Sequence, residues 1–237
     1  MDESTPQVTI ALPVWNKDET ARVLCRRAIA SIVNYVRTPY EIILVDNCSP
    51  CGDVLKDNED LLERIGGGTE WPHYIVLTLP RNTGFGPAVN RALKLATGSY
   101  FCQMNTDAEL LEDSVSLLIH AMQVHNLDVG MPEHFENCMV YGLGKDQQVM
   151  GGDWRFGAFY VARIRALRAV GGYDEAFEMC YWEDTDLWRR MEKAGLRIAG
   201  WRGTWVSHWG GASSHPERDR YFAENRDRYA ERWGIKL

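Results

Sequence analysis

An α/β fold with a mainly parallel sheet, covered by helices on both faces, is predicted by three features of the 237-residue chain. Strand and helix signals alternate through its first half. The strand signals are near-continuous apolar runs, as expected of strands buried on both faces. The segments between them carry Pro, Asn, Asp, Ser and Gly, which close elements and make turns.

The elements follow in chain order. Residues 8–12 (VTIAL) form a short apolar, β-branched run ended by Pro13. Between positions 19 and 36, Ala21, Leu24, Ala28, Ile29, Ile32 and Val33 recur at the spacing of one helical face. Residues 41–45 (EIILV) make a second strand, closed by Asp46-Asn47-Cys48-Ser49-Pro50. A weaker helix over 54–65 stops at Gly66, Gly67 and Gly68. Residues 74–79 are a third strand, 88–96 a helix before Gly98, and 100–104 a fourth strand. The second half is less regular: 114–125 is helical and 128–131 a short strand. Positions 134–153 lack any period, as lids and binding loops do. Strands are expected over 159–163, 197–200 and 204–208, and helices over 184–194 and 217–233.

Charge and composition bound the function. A net charge of −7 lacks the positive footprint that non-specific nucleic-acid or anionic-bilayer binding needs. Seven arginines between positions 163 and 202 still leave a local anion site available. The start, MDESTPQ, has no basic and apolar regions of a secretory signal, and no apolar run approaches the ~20 residues of a membrane span. Six scattered cysteines suit a reducing compartment, so the expected location is cytoplasmic, with peripheral membrane attachment left open. Cys48 and Cys51 form a CxxC without a second pair, which reads more simply as a turn than as a zinc or redox site.

Ligands of such sheets sit beyond the carboxyl ends of the strands. That rule gathers 13–16, 46–48, 80–86 and 105–107 on one rim. In Asn105-Thr106-Asp107, a strand end presents a carboxylate, an oxygen ligand for a hard divalent cation; an Asx-capped turn is the plain alternative. His208 follows a strand and precedes Trp209-Gly210-Gly211; neutral imidazole suits Mn²⁺ better than Mg²⁺, though a lone histidine is also commonly structural. Trp182-Glu183-Asp184-Thr185-Asp186 sets three acids at a helix start. The dipole favours them there, and adjacent carboxylates can also raise one pKa toward that of a general base. Asn82-Thr83-Gly84-Phe85-Gly86 contains GxG but neither the dinucleotide nor the P-loop spacing.

The order of these blocks is more specific than any one of them. From about residue 7 to residue 214 the chain resembles the family-2 inverting glycosyltransferases of the GT-A fold. VTIALPVWN is similar to the family's first strand and P-x-[YW]-N turn, and EIILVDNCSP to its second strand and V-D-[DN]-x-S. RNTGFGPAVNRALKLATGSYFCQMNTD resembles N-x-G-x-x-x-A-x-N, A-x-G and the strand leading to D-x-D. GAFYVARIRALRAVGGYDEAF and WEDTDLWRRM resemble the acceptor-side block, and WVSHWGGASS the V-x-H-x-x-G-x-S segment.

The resemblance implies a Rossmann-like, mixed but mainly parallel sheet in one catalytic domain. Residues 1–107 would be its nucleotide-binding half, 108–214 its acceptor-binding and catalytic half, and 215–237 a helical tail. It implies a nucleotide-diphosphate sugar donor, a UDP-sugar by preference. The acceptor is left open among saccharide, lipid-linked glycan, protein and modified base. Pro13 and Trp15 would flank the nucleobase, with Asn16 beside them and Asp46 accepting a base N–H. Arg81, Asn82, Gly84, Asn105 and Thr106 would line the nucleotide and sugar pocket. Asp107 and His208 would hold a divalent cation, Mn²⁺ or Mg²⁺. Asp184 would be the general base, with Glu183 and Asp186 near the sugar or acceptor, and Trp154, Gly157 and Trp182 lining the sugar site. The first D-x-D acid is here the amide Asn105, which leaves a single carboxylate for the cation. A nucleotidyltransferase-like enzyme and a catalytically silent sugar-nucleotide-binding domain are the alternatives.

Overall fold

The structure is a computed structural model and describes residues 6–66, 74–136, 157–210 and 215–237. Its centre is a sheet of eight strands among the described residues. In spatial order these are β3 (Tyr74–Thr78), β2 (Tyr40–Asp46), β1 (Val8–Val14), β4 (Tyr100–Met104), β7 (Phe159–Arg163), β6 (Val129–Glu136), β8 (Ile198–His208) and β5 (Ala108–Leu110). The first four are parallel, and β6 is parallel to β8. β7 runs against both β4 and β6, and β5 against β8. The sheet is therefore mixed and mostly parallel, as expected.

Alternation along β1 explains the two-sided core. Ile10 and Leu12 point to one face, where they meet Ala28, Ile29 and Ile32 of α1 (Glu19–Tyr35), Leu62 of α2 (Glu59–Gly66) and Leu118 of α4 (Ser114–Val124). Ala11 points to the other, with Ala88 and Val89 of α3 (Phe85–Leu95), Leu167 of α5 (Ile164–Ala169) and Leu187 and Trp188 of α6 (Glu183–Lys193). A strand clothed on both sides has no polar face, hence its continuous apolar sequence. A last helix, α7 (Arg218–Trp233), follows residues 215–217.

Several boundaries differ from the sequence expectation for physical reasons. β1 runs through Pro13 to Val14. Its pairing with β4 stops at Ala11, so at Pro13 it is bonded only to β2, and proline is tolerated on such a local edge. The two strands expected over 197–208 are one, with the register shift lying opposite, between Pro132 and His134. β6 extends to Glu136, into the stretch expected to lack structure; the rest of that stretch lies outside the described residues. β5 and α5, of three and six residues, are too short to show a period. Three of the arginines read as a possible anion site instead serve the fold. Arg163, Arg168 and Arg190 donate to the carbonyls of Leu127, Ala96 and Val170, respectively. Among the described residues, no helix is long and apolar enough to cross a membrane.

Candidate active site

The carboxyl ends of β1, β2 and β4 open on a cavity of about 470 Å³. Pro13 and Trp15 line it from the end of β1, Asn82 and Gly84 from the loop before α3, and Asn105 and Asp107 from the segment after β4. Gly157 lines it just ahead of β7, where the antiparallel register sets Phe159 beside Met104 and the Asn105 N–H donates to the Ala158 carbonyl (2.8 Å). Trp182, Glu183 and Asp184 enter at the start of α6, and His208 at the end of β8.

Other residues expected in the site stand behind it. Asn16 is fully buried, and its backbone N–H donates to Ser49 Oγ (2.9 Å). Asp46 accepts the Ser49 N–H at 2.9 Å and does not line the cavity. Thr106 is buried beneath the rim and Arg81 is exposed outside it. Asp186 is fully buried away from the cavity. Its Oδ2 accepts from Arg190 (2.6 Å), and its Oδ1 from Arg232 and from Trp233 Nε1 (3.1 Å each), which ties α6 to α7. Trp154 lies outside the described residues.

β5 and β8 bring Asp107 and His208 together. Ala108 pairs with His208, the Asp107 carbonyl accepts the Trp209 N–H (2.9 Å), and Asp107 Oδ1 lies 3.2 Å from His208 Nε2. Two atoms each about 2.1 Å from one octahedral ion are separated by about 3.0 Å when cis to one another. The pair therefore fits as two neighbouring ligands. Among the described residues no third His, Cys, Asp or Glu completes such a cluster, and Cys48 and Cys51 belong to none.

The acids at the start of α6 have unequal surroundings. Asp184 Oδ2 accepts the Gly157 N–H (3.0 Å) and its Oδ1 accepts the Thr185 N–H (2.7 Å). Burial raises its pKa above the ordinary carboxylate range, while these hydrogen bonds to the charged form pull it back. Glu183 is raised well above that range, by burial first and then by the Asp184 charge, and its buried Oε2 has no hydrogen-bond partner. Burial thus disfavours charge on both acids, and only Asp184 has the backbone N–H donors of Gly157 and Thr185 to stabilise its charged form. A side chain at Gly157 would press on the carboxylate, its Cβ falling 2.9 Å from that of Asp184.

The backbone leading to these acids is strained. Met179, Tyr181 and Trp182 have φ of 55°, 75° and 71°, left-handed values that non-glycine residues adopt at about 1–3 kcal/mol each. The turn lies against Gly84, itself at φ 90°, where a Cβ would fall 2.8 Å from the Met179 backbone; the Phe85 N–H donates to the Met179 carbonyl at 2.6 Å. Gly84→Ala is therefore expected to cost about 1–3 kcal/mol of stability. Denaturant unfolding tests this; a wild-type value would show that the turn tolerates displacement.

Sequence reasoning placed Asn47 on the rim but gave it no role. Its Nδ2 donates to the Gly84 carbonyl (3.0 Å) and its Oδ1 accepts from the Thr83 N–H (2.8 Å), clamping the loop before α3. An amide one residue past a strand end was the available signal. His215, stacked on Trp15 at 5.4 Å, and Phe222 also line the cavity from what reads in sequence as a charged tail.

Residues 9–174, more than half of the chain, match the family model described as glycosyl transferase family 2. The chain belongs to that family. Among curated relatives it is similar to a putative colanic acid biosynthesis glycosyl transferase of Escherichia coli, WcaA, with 27% identity over 123 residues. That stretch is 52% of this chain and 40% of the relative, so the chain spans less than half the relative's length. Two solved structures share the fold. Staphylococcus aureus TarS 1-349, in complex with UDP-GlcNAc, superposes with a TM-score of 0.71 at 16% identity, covering 98% of this chain and 68% of that one. The Pyrobaculum calidifontis mannosyltransferase PcManGT, in complex with GDP-Man and Mn²⁺, gives 0.70 at 13%, covering 99% and 66%. At these identities the likeness establishes the GT-A architecture alone. The family match ends before Glu183, Asp184, His208 and α7.

Proposed function

We propose that this family-2 chain is an inverting, metal-assisted glycosyltransferase that moves a sugar from a nucleotide-diphosphate donor to an acceptor hydroxyl. The observation that carries the reading is one cavity lined by the Asp107–His208 pair, by Asp184, and by Trp15. Trp15 offers an aromatic face to the nucleobase, flanked by Pro13, with Asn16 supporting that turn from below. Asp46, which stands behind the cavity with one oxygen held by Ser49, steadies the turn after β2 instead of meeting the base. Asn82, Gly84 and Asn105 face the nucleotide and sugar, with Arg81 and Thr106 at the margin of that surface. Gly157 and Trp182 bound the sugar. In this reading residues 1–107 form the donor half, 108–214 the acceptor and catalytic half, and 215–237 the closing helix. Asp186 serves as the joint between α6 and α7 rather than as a sugar contact.

Asp107 and His208 would hold a divalent cation beside the donor diphosphate. When bound, such an ion supplies Lewis-acid stabilisation of the charge that develops on the leaving phosphate. Imidazole favours Mn²⁺ over Mg²⁺, and the Mn²⁺ in the mannosyltransferase complex supports that choice. The UDP-GlcNAc and GDP-Man of the solved neighbours support the donor class. Asp184 takes the acceptor hydroxyl proton as the oxygen bonds to the anomeric carbon and the bond to the leaving phosphate oxygen breaks. One displacement inverts the anomeric centre. The five free cysteines among the described residues suit a reducing compartment such as the cytoplasm.

A thermal-shift screen of nucleotide sugars, with and without Mn²⁺, tests the proposal. At about 100 times Kd a donor adds about 2.7 kcal/mol, or roughly 5–10 °C in a chain of this size. A UDP-sugar with Mn²⁺ is expected to give the largest shift and to release nucleoside diphosphate on incubation. No shift with any nucleotide sugar would end the donor reading; a shift without release would make the chain a binding domain.

A further inference from the structure

We propose that Asn225 of α7 is a positioning residue for sugar transfer: it locks the turn that presents Glu183 and Asp184, so the C-terminal helix serves the chemical step and not donor binding. The inference rests on the general-base reading of Asp184. It concerns residues beyond the stretch that matches the family model.

The turn over Met179–Trp182 holds three non-glycine residues in left-handed conformations immediately before the acids. Backbone of this kind persists only where its surroundings over-determine it. On one side is α3, through Gly84 and the Phe85 N–H. On the other is Asn225, whose side chain is fully buried. Its Nδ2 donates to the carbonyls of Glu178 (2.7 Å) and Cys180 (3.0 Å), and its Oδ1 accepts the Glu178 N–H (3.2 Å). Arg228 donates to the same oxygen at 2.8 Å, which fixes which way the amide faces. One amide therefore satisfies three backbone groups of a segment that has no helix or sheet ladder of its own.

Rings and ions extend the contact along both flanks. Phe222 meets Tyr181 and Trp182 at 5.6 Å each, and Tyr229 meets Trp182 at 5.2 Å. Arg232 joins Asp174 before the turn to Asp186 after it. Asn225 itself is hydrogen-bonded to Glu178, Cys180 and Arg228, and not to the Trp15 or Asn82–Gly84 rim. Loss of its amide should therefore displace the base while leaving the nucleotide wall in place. A misplacement of about 1 Å costs a reaction on the order of 10²-fold.

The test is Asn225→Asp, which keeps the shape and the acceptor but sets an oxygen against two carbonyls. Turnover is read as nucleoside diphosphate released from the nucleotide sugar that stabilises the wild-type chain most, and donor affinity by calorimetry with UDP and Mn²⁺. The expected result is a fall in kcat of about tenfold or more with the UDP Kd within about threefold of wild type. Unchanged kcat, or a Kd that worsens in step with kcat, overturns the proposal. If Asn225→Asp does not fold, Tyr229→Leu decides: it removes the ring packed behind Trp182 from a residue that does not line the cavity, and the same split, smaller in size, is required of it. Asp184→Asn, assayed alongside, separates the two readings. An inactive Asp184→Asn beside a fully active Asn225→Asp refutes only the positioning role, whereas an active Asp184→Asn refutes the base and this inference with it.

Discussion

Asp184→Asn is expected to lower kcat by about 10²–10⁴-fold, the range that a positioned general base contributes, with donor affinity nearly unchanged. Asparagine keeps the shape beside Gly157 and Thr185 but cannot take the acceptor proton. The pH dependence carries the same signature. Asp184 must be ionised to act, and burial raises its pKa above the ordinary carboxylate range, so the rate should already decline at a pH where an exposed aspartate is still charged. Stability runs the other way. A carboxyl group raised in the folded state favours folding most below its unfolded pKa, and that contribution disappears as pH rises through the folded value. At neutral pH the ionised, buried group burdens the fold, so the variant should melt no lower than wild type. Steady-state rates, UDP calorimetry and melting curves together check this. Wild-type turnover would remove Asp184 from the base role.

Loss of either member of the Asp107–His208 pair should abolish the Mn²⁺ dependence of donor binding. Even outer-shell partners of a metal cost about 10–100-fold when removed, so Asp107→Ala and His208→Ala should each weaken UDP binding in Mn²⁺ by at least about that factor. Without Mn²⁺, both variants should bind UDP as weakly as the wild type does. The double variant should be little worse than either single one, because two ligands of one ion act as a unit. Calorimetry with UDP, in Mn²⁺ and in chelator, reads all of these values. Metal-dependent affinity persisting in both single variants would dismiss the cation site.

The parallel half of the sheet was legible because its strands are clothed on both faces. Residues 100–104 are bounded in the structure as the sequence suggests, and so, outside that half, is the antiparallel strand at 159–163. The rim followed from topology, since polar residues just past the ends of β1 and β4 have to lie at the carboxyl edge. The acids of α6 were harder. Positions 183, 184 and 186 look like one cluster, but on a helix residue 186 lies roughly 200° around from residue 184. Asp184 therefore faces the cavity while Asp186 faces Arg232 and Trp233. The bonding roles of Asn47, legible only as a rim position, and of Asn225 were hidden for another reason. Each acts by bonding backbone remote in sequence, and no periodicity or spacing encodes such a partner.

The reversal of β7 has a consequence for the connection that precedes it. β6 and β7 run in opposite directions, so the chain leaves β6 and re-enters at Gly157 on the same edge as the cavity. Pro13, Trp15, Asn82 and Gly84 line the cavity from other connections, after β1 and before α3. Both ends of the β6–β7 connection are thus anchored at the cavity's edge, so a change in its length is felt there and not at the loops on the far side.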